Sequence, residues 1–305
     1  MAGPLVGRGT ELAAASSALT GSGVLLDGPA GIGKTAIWRS LVDELVAGGA
    51  TVLRALPTEA ERLLPYAALA DLLRPLTDHM TDLPAPQAAA ARAVLVSGDT
   101  GHPVDERTVA VMVQSVFAAA CAHDRPVLAI DDCQWLDAPS EQSLRYALRR
   151  LDPGPRMLMT MRGDHQDPLP LGLANDRGIA RITVAALGIG AMHHVLQQQL
   201  GVTLNRPLLT RLTAESEGNP MLAVELARAM LRLPSLPRPG EDLPVARSVL
   251  DLVTTTLRSL PERTLTALRL VALLTAPTVA ELRAVGVDAA DLDPAEEAGL
   301  IEVRQ

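Results

Sequence analysis

Gly28-Pro29-Ala30-Gly31-Ile32-Gly33-Lys34-Thr35 is the stretch that decides the fold, a full match to the pattern G-x-x-x-x-G-K-[ST]. Upstream, Val24–Asp27 is a short apolar run flanked by glycines and reads as a buried strand. Downstream, Lys34–Val46 has the apolar spacing of a helix and stops at Gly48-Gly49, a common helix end. Strand, glycine-rich turn and helix are the context the motif requires. Gly28, Gly31 and Gly33 let the backbone turn tightly and aim its N–H groups at phosphate oxygens, and the helix N-terminus adds its dipole. Gly28, Ala30, Gly31, Ile32, Gly33, Lys34, Thr35 and Ala36 are therefore the candidate contacts to a nucleotide. Lys34 is placed to bridge the β- and γ-phosphates and Thr35 to ligate Mg²⁺. The bland reading is a glycine-rich turn that binds nothing. Composition speaks against it, because Lys34 is the chain's one lysine among 27 lysines and arginines. Arginine serves everywhere else; the compact ammonium is kept where a guanidinium fork would not fit.

Further along, Val127–Ile130 reads as a strand closed by Asp131-Asp132. An acidic pair after a strand is often only a turn. Coupled to the phosphate loop, Asp131 becomes the candidate to hold Mg²⁺ through its water shell and Asp132 the candidate to orient or deprotonate an attacking water. A glutamate at 132 would reach farther, so the shorter aspartate points to slow hydrolysis, suited to a switch more than to a motor.

The rest of the first half supplies the sheet. Thr51–Leu56, Arg156–Met161 and Ile179–Val184 read as strands; Tyr66–Leu76, Pro84–Val96, Val109–Ala122 and Ser140–Leu151 read as helices; Ser97–Asp105 reads as a loop. The expected class is α/β: a P-loop parallel sheet with helices on both faces and ligands at the strand carboxyl ends. Past about residue 185 the strands stop. Gly190–Leu200, Pro207–Glu215 and Met221–Leu231 read as a helical lid, Leu233–Pro244 as a proline-rich linker, Val245–Leu274 as helical, and 278–303 as short helices before a strand. The expected division is 1–185, 186–244 and 245–305, the last a partial winged-helix-like piece.

Bulk properties narrow the partners. Hydrophobic residues are 48 % and charged residues 20 %, enough for a sizeable core; aromatics are only 2 %, so that core is aliphatic. A net charge of -8 is unsuited to gripping a phosphate backbone. No apolar run is long enough to span a bilayer and the start shows no secretory pattern, so a cytoplasmic protein without membrane contact is expected. Cys121 and Cys133 lack metal spacing and read as reduced thiols.

GPAGIGKT, RLLPYAALADLLRPL at 62–76, RPVLAIDDCQWLDAPS at 125–140 and EGNP at 217–220 resemble the STAND class of signal-transduction ATPases. Within it, the chain is similar to the nucleotide-binding part of large LuxR-type (MalT-like) transcriptional regulators of actinobacteria. The resemblance covers nearly the whole chain, and QWLD and GNP are its most specific pieces. It implies that Val6, Gly7 and Arg8 lie near the adenine, with Gly9 where an acidic residue is usual. It implies that Arg162 senses the γ-phosphate and that Pro220 packs on the adenine from the lid. It further implies ATP or ADP as ligand, self-association in the ATP state, and DNA contact only through a C-terminal domain absent from this chain. Adenine over guanine rests on this resemblance alone.

Other residues read as structural. His193-His194 are surface neighbours without a third ligand; Trp135 packs its loop; Asp164 and His165 belong to a turn. The function expected is a slow ATPase used as a regulatory switch. A P-loop enzyme that phosphorylates a small molecule and a nucleotide-bound scaffold that never hydrolyses are the alternatives.

Overall fold

In a computed structural model, the described residues are 5–95, 105–163, 168–173, 178–233, 236–237, 241, 257, 260–274, 278–297 and 301. The loop expected at Ser97–Asp105, Asp164 and His165, most of the 233–244 linker and the closing strand fall wholly or largely outside them. Five strands, β1 (Gly23–Gly28), β2 (Val52–Ala55), β3 (Val127–Ile130), β4 (Arg156–Arg162) and β5 (Ile179–Thr183), form one sheet in the order β2-β3-β4-β1-β5. Every neighbouring pair is parallel. Such a sheet must be covered on both faces. Strand alternation does this: Val24 and Leu26 of β1 point to one side, Leu25 to the other.

On the first face lie α1 (Gly9–Leu19) and α2 (Lys34–Ala47), whose Ala15, Leu19, Ile37, Trp38, Leu41 and Val42 are all buried. The second face carries α3 (Ala67–Leu73), α4 (Ala85–Leu95), α5 (Glu106–His123) and α6 (Ala138–Leu148) over Leu25, Leu53, Leu128, Ile130 and Met159. The sequence reading passed over α1. Its apolar face is a weak alanine stripe, and it becomes a helix worth having only against β1 and β5. The helix expected over Tyr66–Leu76 is shorter, because Pro75 cannot donate to an α-helical ladder and the chain tightens into a 3₁₀ turn at Arg74–Met80.

Beyond the sheet, α7 (Ile189–Leu200), α8 (Arg206–Glu215) and α9 (Pro220–Leu231) bury a separate cluster around Met192, Leu212, Ala223 and Met230. Then α10 (Glu262–Leu273), α11 (Val279–Ala284) and α12 (Asp293–Glu297) enclose a fourth small core of Ala267, Leu282, Val287 and Leu292. Among the described residues, no helix is long and apolar enough to cross a membrane.

Candidate nucleotide site

Strand β1 is buried throughout, and the chain leaves it through a turn with Gly28, Gly31 and Gly33 at φ 138°, 76° and 110°. That is the left-handed side of conformational space, where a Cβ is penalised. At Gly31 space matters as well: an added Cβ would sit 2.6 Å from Cβ of Met221 on α9. Glycine thus lets the loop and the lid helix approach.

Lys34 opens α2 and is only 5 % exposed. Its Nζ donates to the carbonyls of Gly28 at 2.8 Å and Pro29 at 2.9 Å, which holds the ammonium across the loop's mouth. Burial pulls its pKa below the usual lysine value, while Asp132, Asp131 and Asp27 pull it back up. Next to it, Thr35 Oγ1 donates to Oδ1 of Asp131 at 3.2 Å. The phosphate loop and the end of β3 therefore meet at these two oxygens.

One residue that the sequence reading overlooked organises the acidic pair. Thr160, fully buried in β4, donates its hydroxyl to Oδ1 of Asp131 at 2.6 Å and accepts the N–H of Asp132 at 2.7 Å. A hydroxyl has a single proton. With Asp132 N–H on its lone pair, that proton is committed to Asp131 Oδ1, which aims the carboxyl group. The available signal was a lone hydroxyl inside the apolar run MLMTM.

Asp132 takes a left-handed backbone, φ 50°. Its Oδ1 accepts from Gln134 Nε2 at 2.8 Å, and Gln134 Oε1 accepts from the Arg162 N–H at 3.0 Å. Arg162 Nε also stands 3.8 Å from that carboxylate oxygen, and its guanidinium lies over the Trp135 ring at 5.5 Å. The two sequence-named catalytic candidates are thus brought together, through a glutamine no reading had singled out. The Trp135 ring thus supports Arg162. Cys133 is buried, and burial pushes its thiol far above the usual range, so the neutral form prevails.

Arg8 is almost fully enclosed and ties three segments together. It donates to the Ile32 carbonyl of the phosphate loop and to the Ala185 carbonyl, each at 2.5 Å, and pairs with Glu11 at 3.0 Å. Glu11, which the sequence reading had not singled out, is the acidic partner of Arg8, one α-helical turn on, where it faces the guanidinium. Gly7 does not line the cleft; a Cβ there would lie 2.5 Å from Ala191, so it marks a close crossing of the N-terminal segment over α7.

A cleft of about 340 Å³ opens between the phosphate loop and helices α7 and α9. Val6, Arg8, Gly31, Ile32, Gly33, Ala36 and Pro220 line it, joined by Leu187, Val195, Met221, Val224, Glu225 and Arg228. Its volume and mixed lining suit a small organic ligand. Asn219, of the GNP motif, supplies the hinge contact: Nδ2 donates to the Ala30 carbonyl at 2.8 Å while Oδ1 caps α9 at Met221 N, 3.1 Å. Asn followed by Pro is a legible helix start. That the cap's other end would hold the phosphate loop was not legible.

The AAA ATPase domain family matches residues 4–159, just over half the chain. The protein belongs to that family. No curated protein matches it. Among solved structures, this AAA ATPase is similar to the Aeropyrum pernix ORC1 protein in complex with DNA, at 16 % identity and a TM-score of 0.51, covering 99 % of this chain and 80 % of that one. It is also similar to the Aeropyrum pernix ORC2 protein in ADPNP and ADP complexes, at 14 % identity and a TM-score of 0.49, covering 100 % and 85 %. A Pyrococcus horikoshii STAND protein with a tetratricopeptide-repeat sensor aligns at 17 % identity and a TM-score of 0.46, over 99 % of this chain and 40 % of that one. At such identities the likeness is one of fold. The family makes this chain a P-loop, nucleotide-binding ATPase domain of AAA type.

Proposed function

We propose that the chain is an ATP-operated regulatory switch that hydrolyses slowly, and that it serves a LuxR-type transcriptional regulator. The observation that carries the switch reading is Asn219, which joins the Ala30 carbonyl of the phosphate loop to the first turn of lid helix α9. A nucleotide in the cleft touches both bodies, so its phosphate state has differential contacts with their open and closed arrangements. Val6, Arg8 and Pro220 flank the base, the loop from Gly28 to Ala36 holds the phosphates, and Asp132 with Arg162 faces the γ-phosphate.

Thr35 and Asp131 fit Mg²⁺. They present two oxygens 3.2 Å apart beside the phosphate loop, and this ion keeps several waters and takes few protein ligands. When bound, it neutralises charge on the β- and γ-phosphates. Thr160 supports this by keeping the Asp131 carboxyl group aimed, and Asp132 orients water. The division into sheet, lid and C-terminal parts is supported by their separate apolar clusters; the bound at 244 lies outside the described residues. The regulator reading is supported by the QWLD, GNP and 62–76 segments. With it go self-association in the ATP state, a cytoplasmic setting, and DNA contact through a domain outside this chain.

The test is to identify any nucleotide that co-purifies and to titrate stripped protein with ATP, ADP and GTP by calorimetry with and without Mg²⁺. ATP and ADP binding with slow phosphate release is expected. Failure of every nucleotide to bind overturns the reading.

A further inference from the structure

A second cavity, of about 610 Å³, lies beside Trp135 and between the 58–66 segment, α3 and α4. The nucleotide site does not use it. Its composition stands out in so aromatic-poor a chain, which has two Trp, two Tyr and one Phe. Phe117 and Trp38 are core residues, and Tyr146 packs under Arg150. The remaining two, Tyr66 and Trp135, both line this cavity. Alongside them are Glu61, Asp71 and Asp137 against one guanidinium, Arg74, and the rest of the described wall is proline, alanine, leucine and valine.

Tyr66 is held there against its backbone preference. Its φ is 65°, a left-handed value rare for a bulky residue, and such outliers persist only where surroundings enforce them. The enforcing group is Asp137, 2 % exposed, whose Oδ1 accepts the N–H of Tyr66 at 2.7 Å and of Ser140 at 2.9 Å, and whose Oδ2 accepts that of Ala68 at 3.3 Å. The carboxylate that caps α6 thereby fixes the backbone at Tyr66, on the wall of the cavity. With Asp137 engaged by its N–H donors, two aromatic residues and the carboxylates of Glu61 and Asp71 against the one guanidinium of Arg74 form an environment that attracts an organic cation and disfavours an anion. The volume is that of a small-molecule site.

We infer that this cavity binds a small organic cation, an ammonium or guanidinium compound free in solution. The site also has a line to the catalytic end. Trp135 forms its wall and carries the Arg162 guanidinium 5.5 Å from its ring centre, and Arg162 stands 3.8 Å from Asp132. A cation beside Trp135 competes for the ring and repels Arg162, so occupancy changes how Asp132 is held. This second step rests on the ATPase reading; binding itself does not.

Trp135 provides the measurement. Trp38 is 2 % exposed and donates to the Leu158 carbonyl, so a solute-dependent change in tryptophan emission belongs to Trp135. The full chain is titrated with choline and with 3,3-dimethylbutan-1-ol, its uncharged isostere. Choline is expected to shift emission saturably and bind at least about tenfold tighter than the alcohol. Tyr66→Gly removes the ring while suiting the left-handed backbone, and Asp71→Asn removes one charge. Each is expected to weaken choline about tenfold, with ATP affinity on the same proteins reporting an intact core. Equal response to choline and alcohol, or full response in both variants, overturns the site. Response only to an arginine-bearing peptide, and not to choline, overturns the assignment to a free small molecule. Phosphate release at saturating choline tests the coupling: a rate unchanged from the choline-free rate overturns that step alone. Absence of any phosphate release would instead strike the ATPase reading and leave the titration standing.

Discussion

Replacing Thr160 with valine keeps shape and volume but deletes a hydroxyl that serves both acidic residues. Two bonds vanish, to Asp131 Oδ1 at 2.6 Å and from Asp132 N at 2.7 Å, at a position with no solvent access. Losing a hydrogen bond to a carboxylate costs about 1.5–3 kcal/mol and orphaning an N–H about 1–3 kcal/mol. Asp131 keeps its Thr35 contact and Asp132 has partial access to water, so the lower halves apply, roughly 3 kcal/mol in all. At roughly 2–4 °C per kcal/mol for a body of this size, the melting temperature falls by about 6–12 °C. Serine restores both bonds and lacks one methyl, a cost of about 1 kcal/mol. The same loss frees the Asp131 carboxylate to turn, so Mg²⁺-dependent ATP affinity and phosphate release fall about tenfold in the valine variant, the effect of roughly 1.4 kcal/mol, and recover in the serine variant. Thermal melts and calorimetry with and without Mg²⁺, run on Thr160→Val and Thr160→Ser, decide it. A valine variant that melts within about 2 °C of the parent, or a serine variant no better than valine, refutes this role for Thr160.

Lys34→Ala removes nucleotide binding while the fold survives, read by calorimetry and circular dichroism, and Lys34→Arg does not restore it. Because burial lowers the Lys34 pKa from 10.5, the folded protein releases this proton at a lower pH than the unfolded chain does. Stability therefore rises with pH between the lowered value and 10.5, whereas ATP affinity starts to fall below that ordinary lysine value; a flat affinity profile through that range would count against it. Asp132→Asn retains ATP binding but slows phosphate release, and a full rate would remove Asp132 from the chemistry. Pro220→Ala weakens ATP and ADP alike if, as proposed, this cleft-lining residue flanks the base; a loss confined to ATP would contradict that placement. Arg8→Ala strips the Ile32 carbonyl and the enclosed Glu11 carboxylate of a partner, a loss of about 3–5 kcal/mol visible in a denaturant melt, with weaker ATP binding to match.

Local signals in the sequence were sufficient for the fold class. A glycine-rich turn between a buried run and an amphipathic run leaves few options, and β3 spans the four residues its apolar stretch suggested. Lys34, Thr35 and Asp131 were legible for the same reason: each sits at a strand end or helix start whose position the periodicity marks. What depended on distance along the chain was not legible. Thr160 is 29 residues from Asp131, and Asn219 is 189 from Ala30, yet these contacts organise the acidic pair and tie the lid to the loop. The helix α1, which needs β1 and β5 to pack on, and the cavity that gathers Tyr66 with Trp135 belong to the same class. Hydrophobic period and turn chemistry act over a few residues, so a sequence specifies its elements. Which hydroxyl meets which carboxylate is set only when strands from separate regions come into register in the sheet.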